Sequence, residues 1–335
     1  TIDSPQGTNY ISSDGTAVDI RSGDTAQITI SGQTVIEGKE AALKLEKDQK
    51  TWSGETSTGG NIQVNYAGSS SSTGDVYGMN GGTVNITPQS RGAMTITGNI
   101  FGADESVSLD EFDATPGFEF DAAGNVYTLA TSKAWAKLID GGTANVELSA
   151  GSRLVGRADT GRRYAKTLLE KRKATFDEKM EEALQKFGDD RLAYQESMRE
   201  TYGQPPMTDE EKAQYMENWE TQYSQNYRNT YFNKDRMFEQ FEDDAADAAG
   251  EVNIMLNDGA LWDMTGPSSV TTLGGSGGTV YYENGGDSLE IGTLSGSHTF
   301  AMDLDADDGS NSDMLYINEG TSDEQTLVVK NLATL

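Results

Sequence analysis

Cysteine is absent from the 335 residues, and histidine occurs once. The first absence excludes a disulfide scaffold, a thiol nucleophile and a cysteine metal site, and it is compatible with export to an oxidising compartment. The second leaves His298 as the sole imidazole, so any histidine-based triad would have to be built on it; a turn or surface role is expected of it instead. Bases are scarce: 25 Lys and Arg stand against 54 Asp and Glu, for a formal net charge of −29. Nucleic acid and anionic membrane surfaces are not expected partners, because both require clustered cations. The charge suits the solubility of a surface protein; cation binding or docking to a basic partner is a sharper use of it. No apolar run approaches the roughly 20 residues of a membrane-crossing helix. The chain starts at Thr1 with no charged n-region and apolar h-region, so a signal peptide is expected to have been removed. A Gly-rich phosphate loop ending in Lys-Ser/Thr is also missing.

What the chain has in quantity is glycine, 38 residues, beside only 35% hydrophobic residues. Low bulk with many glycines suits a thin solenoid better than a thick core. Up to about residue 155 the sequence reads as short strands between turns. Val18–Ile20, Ala26–Ile30, Thr34–Ile36, Ile62–Tyr66, Val84–Thr87, Met94–Ile100, Val126–Ala130 and Ala144–Leu148 are strand candidates. Alternation such as Val84-Asn-Ile86 turns one face inward. A Gly-Gly turn entering a strand recurs at Gly59-Gly60, Gly81-Gly82, Gly141-Gly142 and Gly277-Gly278, with a weaker copy at Gly250. The intervals are irregular, which predicts repeated coils with loops of varying length. Gly68–Gly74, holding Ser69 to Ser72, reads as a flexible loop. Glu37–Lys50 fits either a short helix or a strand and loop.

Composition changes abruptly at Gly161. From there to Ala248 only Gly161, Gly188 and Gly203 are glycine, while helix formers dominate. Leu169, Phe176, Met180, Leu184 and Phe187 share one helical face. Gly188 is expected to end that helix, with Asp189 or Asp190 opening a second to about Tyr202. Gly203-Gln-Pro-Pro206 is a breaker. Thr208-Asp-Glu-Glu211 reads as a capping box that opens a long helix to about Ala246. On it Tyr215, Trp219, Tyr223, Tyr227 and Tyr231 recur every four residues, a stripe that drifts about 40° per step. Such a face ordinarily packs on neighbouring helices or on the solenoid flank. As a functional element it would be an aromatic surface for a partner. Three segments follow: N-terminal coils over 1–160, a helical insertion over 161–248, and C-terminal coils over 249–335. About ten coils and a rod of roughly 50 Å are expected at ~4.8 Å per coil.

From Leu261 to Leu332 apolar runs of three to six residues alternate with Gly-, Ser- and Asp-rich turns, the cadence of an all-β solenoid. The order Trp262, Gly277 to Val280, Leu289 to Gly292, Leu294-Ser-Gly296, Thr299 to Asp303, Ser312 to Ile317 and Leu327 to Leu332 resembles the end of an autotransporter passenger. It is similar to the pertactin-like and AIDA-like type V secretion family. The resemblance implies a right-handed parallel β-helix, capped by a region that helps the passenger fold after export. It also implies an adhesive, non-enzymatic role in attachment to a host or to other bacteria, or in self-association and biofilm formation. The implied place is the cell surface, or the medium after release. The implied partner is a protein or glycan receptor, or another copy of the chain. Membrane contact is expected only through a C-terminal barrel, whose alternating segments do not follow Leu332.

Other motifs offer less. Gly286-Asp-Ser-Leu289 spells an esterase motif, but in that family it opens the passenger and pairs with a later Asp-x-x-His; here Ser295, Gly296 and Ser297 precede His298. Ser288 therefore reads as a turn residue. Asp303 to Asp313 resembles a calcium loop, yet its Gly309 stands one place late and Met314 replaces the closing Glu. The basic cluster of Arg153, Arg157, Arg162, Arg163, Lys166, Lys171, Arg172 and Lys173 reads as a charged face paired with the acidic remainder, or as a dock for an acidic partner. No cofactor, metal or catalytic residue is expected. The alternatives to an adhesin are a β-helix lyase or glycosidase acting through flank carboxylates, and a structural stalk.

Overall fold

A computed structural model describes residues 1–20, 26–45, 60–79, 81–89, 92–103, 119–120, 126–127, 141–231, 234–305, 309 and 311–333. Within these, the side chains of 5–6, 119–120, 126–127, 227, 229–231, 240, 244, 247–248 and 332–333 are outside the description. The chain forms two units, one of 1–105, 139–163 and 248–335 and one of 106–138 and 164–247.

The first unit is a parallel β-helix. Among the described residues, 19 strands form one sheet in which every ladder is parallel. Three faces, here A, B and C, wrap one core. On face A, Ile30, Val64, Ile86, Val146, Ile254, Leu273 and Leu294 stack in register. On face B the inward column is Ile11, Ile36, Ser72, Ile96, Leu154, Trp262, Val280, Phe300 and Leu327. Face C carries Val18, Leu43, Val76, Ile100 and Ala158, then Leu289 and Leu315. Strand alternation aims these side chains inward, and each within a column is covered by the same position one coil above and below, while the last member of face B, Leu327, is left exposed. Burying an aliphatic side chain contributes roughly 1.5–3 kcal/mol, so a thin core grows coil by coil. The three large polar-tipped core residues, Tyr66, Trp262 and Tyr282, are satisfied inside it, the Tyr282 hydroxyl donating to the Met314 carbonyl at 3.3 Å. Tyr66 donates to the Glu147 carbonyl at 2.9 Å, and the Trp262 indole to the Gly156 carbonyl at 2.9 Å. The face-B column is nine deep; its eight steps make about 38 Å, against the ten coils and roughly 50 Å expected.

Glycine marks two corners. Gly60, Gly82, Gly142 and Gly250 stand in register at the entry to face A, linked by Thr83, Thr143 and Glu251 amides at 2.7–3.0 Å. The Gly-Gly echo is thus a structural repeat at these positions, but Gly277-Gly278 enters face B instead. At the corner from B to C, Gly38, Gly74, Gly98 and Gly156 follow the register of Glu37, Thr73, Thr97 and Val155. A Cβ on Gly98 would strike the Gly74 carbonyl, and one on Gly156 the Gly98 carbonyl.

The corner from C to A changes character along the chain. Face C ends there at Leu45, Ala103 and Thr160, and face A resumes at Gly60, Gly142 and Gly250; 46–59 and most of 104–140 lie outside the described residues. Backbone bonds close the gaps, from Gly142 N–H to the Gly102 carbonyl at 2.8 Å and from Gly250 N–H to the Thr160 carbonyl at 2.9 Å. In the last coils, Ser268–Gly274, Ser288–Leu294 and Met314–Gly320 are single strands that carry face C into face A without a loop.

Three expectations need correction or completion. Gly68–Gly74 is not a loop, because Ser69–Tyr77 is a strand with parallel neighbours on both sides. Small hydroxyls fit inside: Ser70 accepts from the Thr34 amide at 2.9 Å and donates to the Ala67 carbonyl at 2.8 Å. The open choice at Glu37 resolves as strand, since Gln27–Leu45 is continuous, and 46–50 lie outside the described residues. Val126–Tyr127 lies outside the stack, paired antiparallel with Glu119–Phe120.

The second unit contains helices α1 (Arg162–Ala174), α2 (Phe176–Thr201), α3 (Asp209–Asn218), α4 (Ser224–Tyr231) and α5 (Lys234–Ala248). The capping box forms as read: Glu211 N–H donates to the Thr208 hydroxyl at 3.1 Å and Thr208 N–H to the Glu211 carboxylate at 2.8 Å. Two boundaries differ from expectation. Gly188 does not end a helix; α2 runs through it, and the break falls at Thr175. The helix after Thr208 is interrupted by a π-helical turn at Trp219–Tyr223.

Candidate interaction surfaces

In the helical unit the stripe residue Trp219 is the internal anchor. It is 4% exposed, stacks edge-on against Phe187 at 5.2 Å and donates its indole N–H to the Leu184 carbonyl at 3.1 Å. A Cβ on residue 188 would lie 2.5 Å from that indole nitrogen, so the glycine serves close helix approach and not helix termination. One wider turn at Trp219–Tyr223 shifts the stripe's phase. Tyr223 then lies parallel to Trp219 at 6.3 Å and is 56% exposed, while Tyr215 is half-buried. Tyr227 and Tyr231 lie on α4, with side chains outside the described residues. Of the other face read from sequence, Leu169, Phe176, Leu184 and Phe187 are buried and Met180 half-buried. Phe176 meets Phe238 and Phe241 at 5.3 and 6.3 Å.

Beyond Gly188 the α2–α3 hairpin has no buried residue; charges bind its sides. Arg199 forks onto Glu211 at 3.1 and 3.2 Å, and Lys212 meets Glu196 at 2.7 Å. The Arg199 guanidinium, helped by the Thr208 amide, pulls the Glu211 carboxyl down to about 2. Much of the basic cluster is likewise paired with acids. Arg153 bonds Asp263, Arg157 and Arg163 flank Asp159 at 3.6 and 3.3 Å, and Lys173 reaches Glu242 at 2.6 Å.

The last coils place the remaining motif residues apart from one another. His298 is 2% exposed and gives its Nε2 hydrogen to the Ser295 carbonyl at 3.0 Å; Nδ1 has no partner among the described residues. Burial lowers its pKa. Ser288 opens a strand and accepts a 3.5 Å bond from Arg163. No hydrogen bond joins it to His298 among the described residues. The acidic turn is bound internally: Asp313 is buried and accepts from the amides of Asp287 at 3.0 Å and Asp303 at 2.6 Å. Residues 306–308 and 310 of that turn lie outside the described residues. Burial, then the Asp313 charge, raises Asp287, and burial raises the Tyr282 phenol beside the same pair. Among the described residues no three His, Asp or Glu side chains converge to hold a metal ion.

Sequence reading missed a groove at the B–C corner of the first three coils. Its volume is about 630 Å³, and it is lined by Ser12, Ser13, Asp14, Glu37, Gly38, Lys39, Thr73 and Gly74. These come from three distant segments, brought together by the register Ser12–Glu37–Thr73. The only sequence signal is the glycine that follows an outward residue in the second and third of these coils, at Glu37-Gly38 and Thr73-Gly74; Ser13 holds that place in the first.

Together these features define a parallel β-helix carrying a helical excursion. A family model described as Pertactin matches residues 270–334, the final coils and less than half of the chain. This end is a pertactin-like region, consistent with an autotransporter passenger. No curated protein and no solved structure matches the chain.

Proposed function

We propose that this chain is a surface-exposed autotransporter passenger acting as an adhesin, by contact and not by turnover. The supporting observation is the pertactin-like match over residues 270–334, which falls on the closing coils of a parallel β-helix. The partners in this reading are receptors on host or bacterial surfaces, or other copies of the chain, as in biofilm. The location is the cell surface, held by a C-terminal barrel, or the medium after release. Within the helical excursion, Tyr215, Tyr223, Tyr227 and Tyr231 are the proposed contact side chains, with Trp219 as their internal support. Aromatic residues suit such a role because they offer large contact area at low entropic cost.

The test displays the passenger on a barrel, with and without residues 161–248, at display levels matched by antibody. Full-length display is expected to aggregate cells or attach them to surfaces, and deletion to abolish this. Failure of the full-length chain to confer either behaviour defeats the adhesin reading. Persistence after deletion moves the contact surface to the β-helix.

A further inference from the structure

The N-terminal groove combines three properties that belong together in sugar recognition. First, it is an open concavity of about 630 Å³, within the size range of small-ligand sites. Second, its walls offer hydrogen-bonding groups of both kinds: the hydroxyls of Ser12, Ser13 and Thr73, the carboxylates of Asp14 and Glu37, and the Lys39 ammonium. Third, an aromatic ring stands beside it. Tyr10 lies two residues before Ser12 on the same strand, so both point outward; Ile11 between them faces the core. Tyr10 is 77% exposed, and its register partner Val35 extends an apolar strip next to the groove.

An exposed tyrosine on a sheet face carries a large apolar area and a polar tip. The C–H face of a pyranose covers such a ring, while its hydroxyls exchange bonds with carboxylates and hydroxyls. The charge around the groove narrows the class. Lys39 is ion-paired with Asp14, which leaves Glu37, and Glu40 close by at Gly15, as uncompensated negative charge among the described residues. A uronic acid or sulfated sugar would be repelled.

We infer that the groove over the first three coils, with Tyr10 as its platform, binds a glycan whose sugars carry no acidic groups. The inference is independent of the adhesin reading, since binding is measured on the purified chain without cells. Fluorescence titration would use three probes: cellohexaose, a glucosamine hexamer and a galacturonate hexamer. At least one of the first two is expected to bind and the galacturonate not. Tyr10→Ala and Glu37→Gln should each weaken binding about tenfold or more, equivalent to about 1.4 kcal/mol. Both side chains are surface groups, so the variants are expected to keep the parent's circular dichroism and unfolding midpoint. The inference is overturned if none of the probes binds, if the galacturonate hexamer binds as tightly as the others, or if both folded variants bind like the parent.

Discussion

His298 carries its proton on Nε2, toward the Ser295 carbonyl, and buries a bare Nδ1. A second proton would add a charge and an N–H donor with nothing described to receive it. Its folded pKa therefore falls below the ordinary 6.5. Between the two values the unfolded chain binds the extra proton and the folded chain does not, so stability is complete above about pH 6.5 and declines as pH falls through that window. Because the sequence has one histidine, a single imidazole NMR signal reports the event. It should titrate below 6.5 in the folded chain and near 6.5 in urea. Equal values in both states would remove this source of acid sensitivity. A second residue-scale expectation concerns Gly98, at φ +149° with the Gly74 carbonyl where a Cβ would stand. Gly98→Ala should cost about 2–4 kcal/mol in urea unfolding, combining backbone strain with overpacking. An unchanged midpoint would mean that the corner yields without cost. Neither environment is legible in the sequence. His298 reads there as a turn or surface residue, although it is buried, and Gly98 only as one glycine among many, because the oxygen that excludes a side chain comes from the preceding coil.

Helix α3 shows which element boundaries were legible. Thr208-Asp-Glu-Glu211 encodes its own start, because both partners of the capping box lie within one turn. Thr208→Ala should cost about 1 kcal/mol locally, seen as faster hydrogen exchange of the first amides of α3; unaltered exchange would show that Arg199–Glu211 holds the turn without the cap. The same pair sets an acid limit. Glu211 is depressed from 4.5 to about 2, so its support for the hairpin is present above pH 4.5 and lost as pH falls toward 2. Gly188 was misread because its reason lies 31 positions later, in the Trp219 ring that needs the space. The π turn was unreadable for a related cause: four-residue spacing of aromatics is the same in the sequence whether or not one turn is widened. The stripe was therefore visible as a pattern, but not its division into a buried Trp219 and an exposed Tyr223.

For the whole molecule, the cadence of short strands and Gly turns was enough to read a solenoid, since each coil repeats the same local physics. Coil count and register were less accessible, because the 104–140 and 161–249 excursions break any fixed period. The structure explains how those lengths are tolerated. Thr160 and Gly250 are hydrogen-bonded neighbours, so the helical excursion leaves and returns at one point. Joining Thr160 to Ala249 through a short glycine linker should preserve the far-UV β signal and a cooperative urea transition. Collapse of that transition would mean that the β-helix depends on the helices for its folding.

The corner between faces C and A also divides the protein for anyone wishing to rebuild it. Upstream of Gly250 it acts as a docking port, where reporter domains or epitopes can be grafted while the coils on either side keep their register. Downstream, where Ser268–Gly274, Ser288–Leu294 and Met314–Gly320 round the same bend as unbroken strands, no such port exists, and added length would split a strand that is paired on both sides in the first two and on one side in the third.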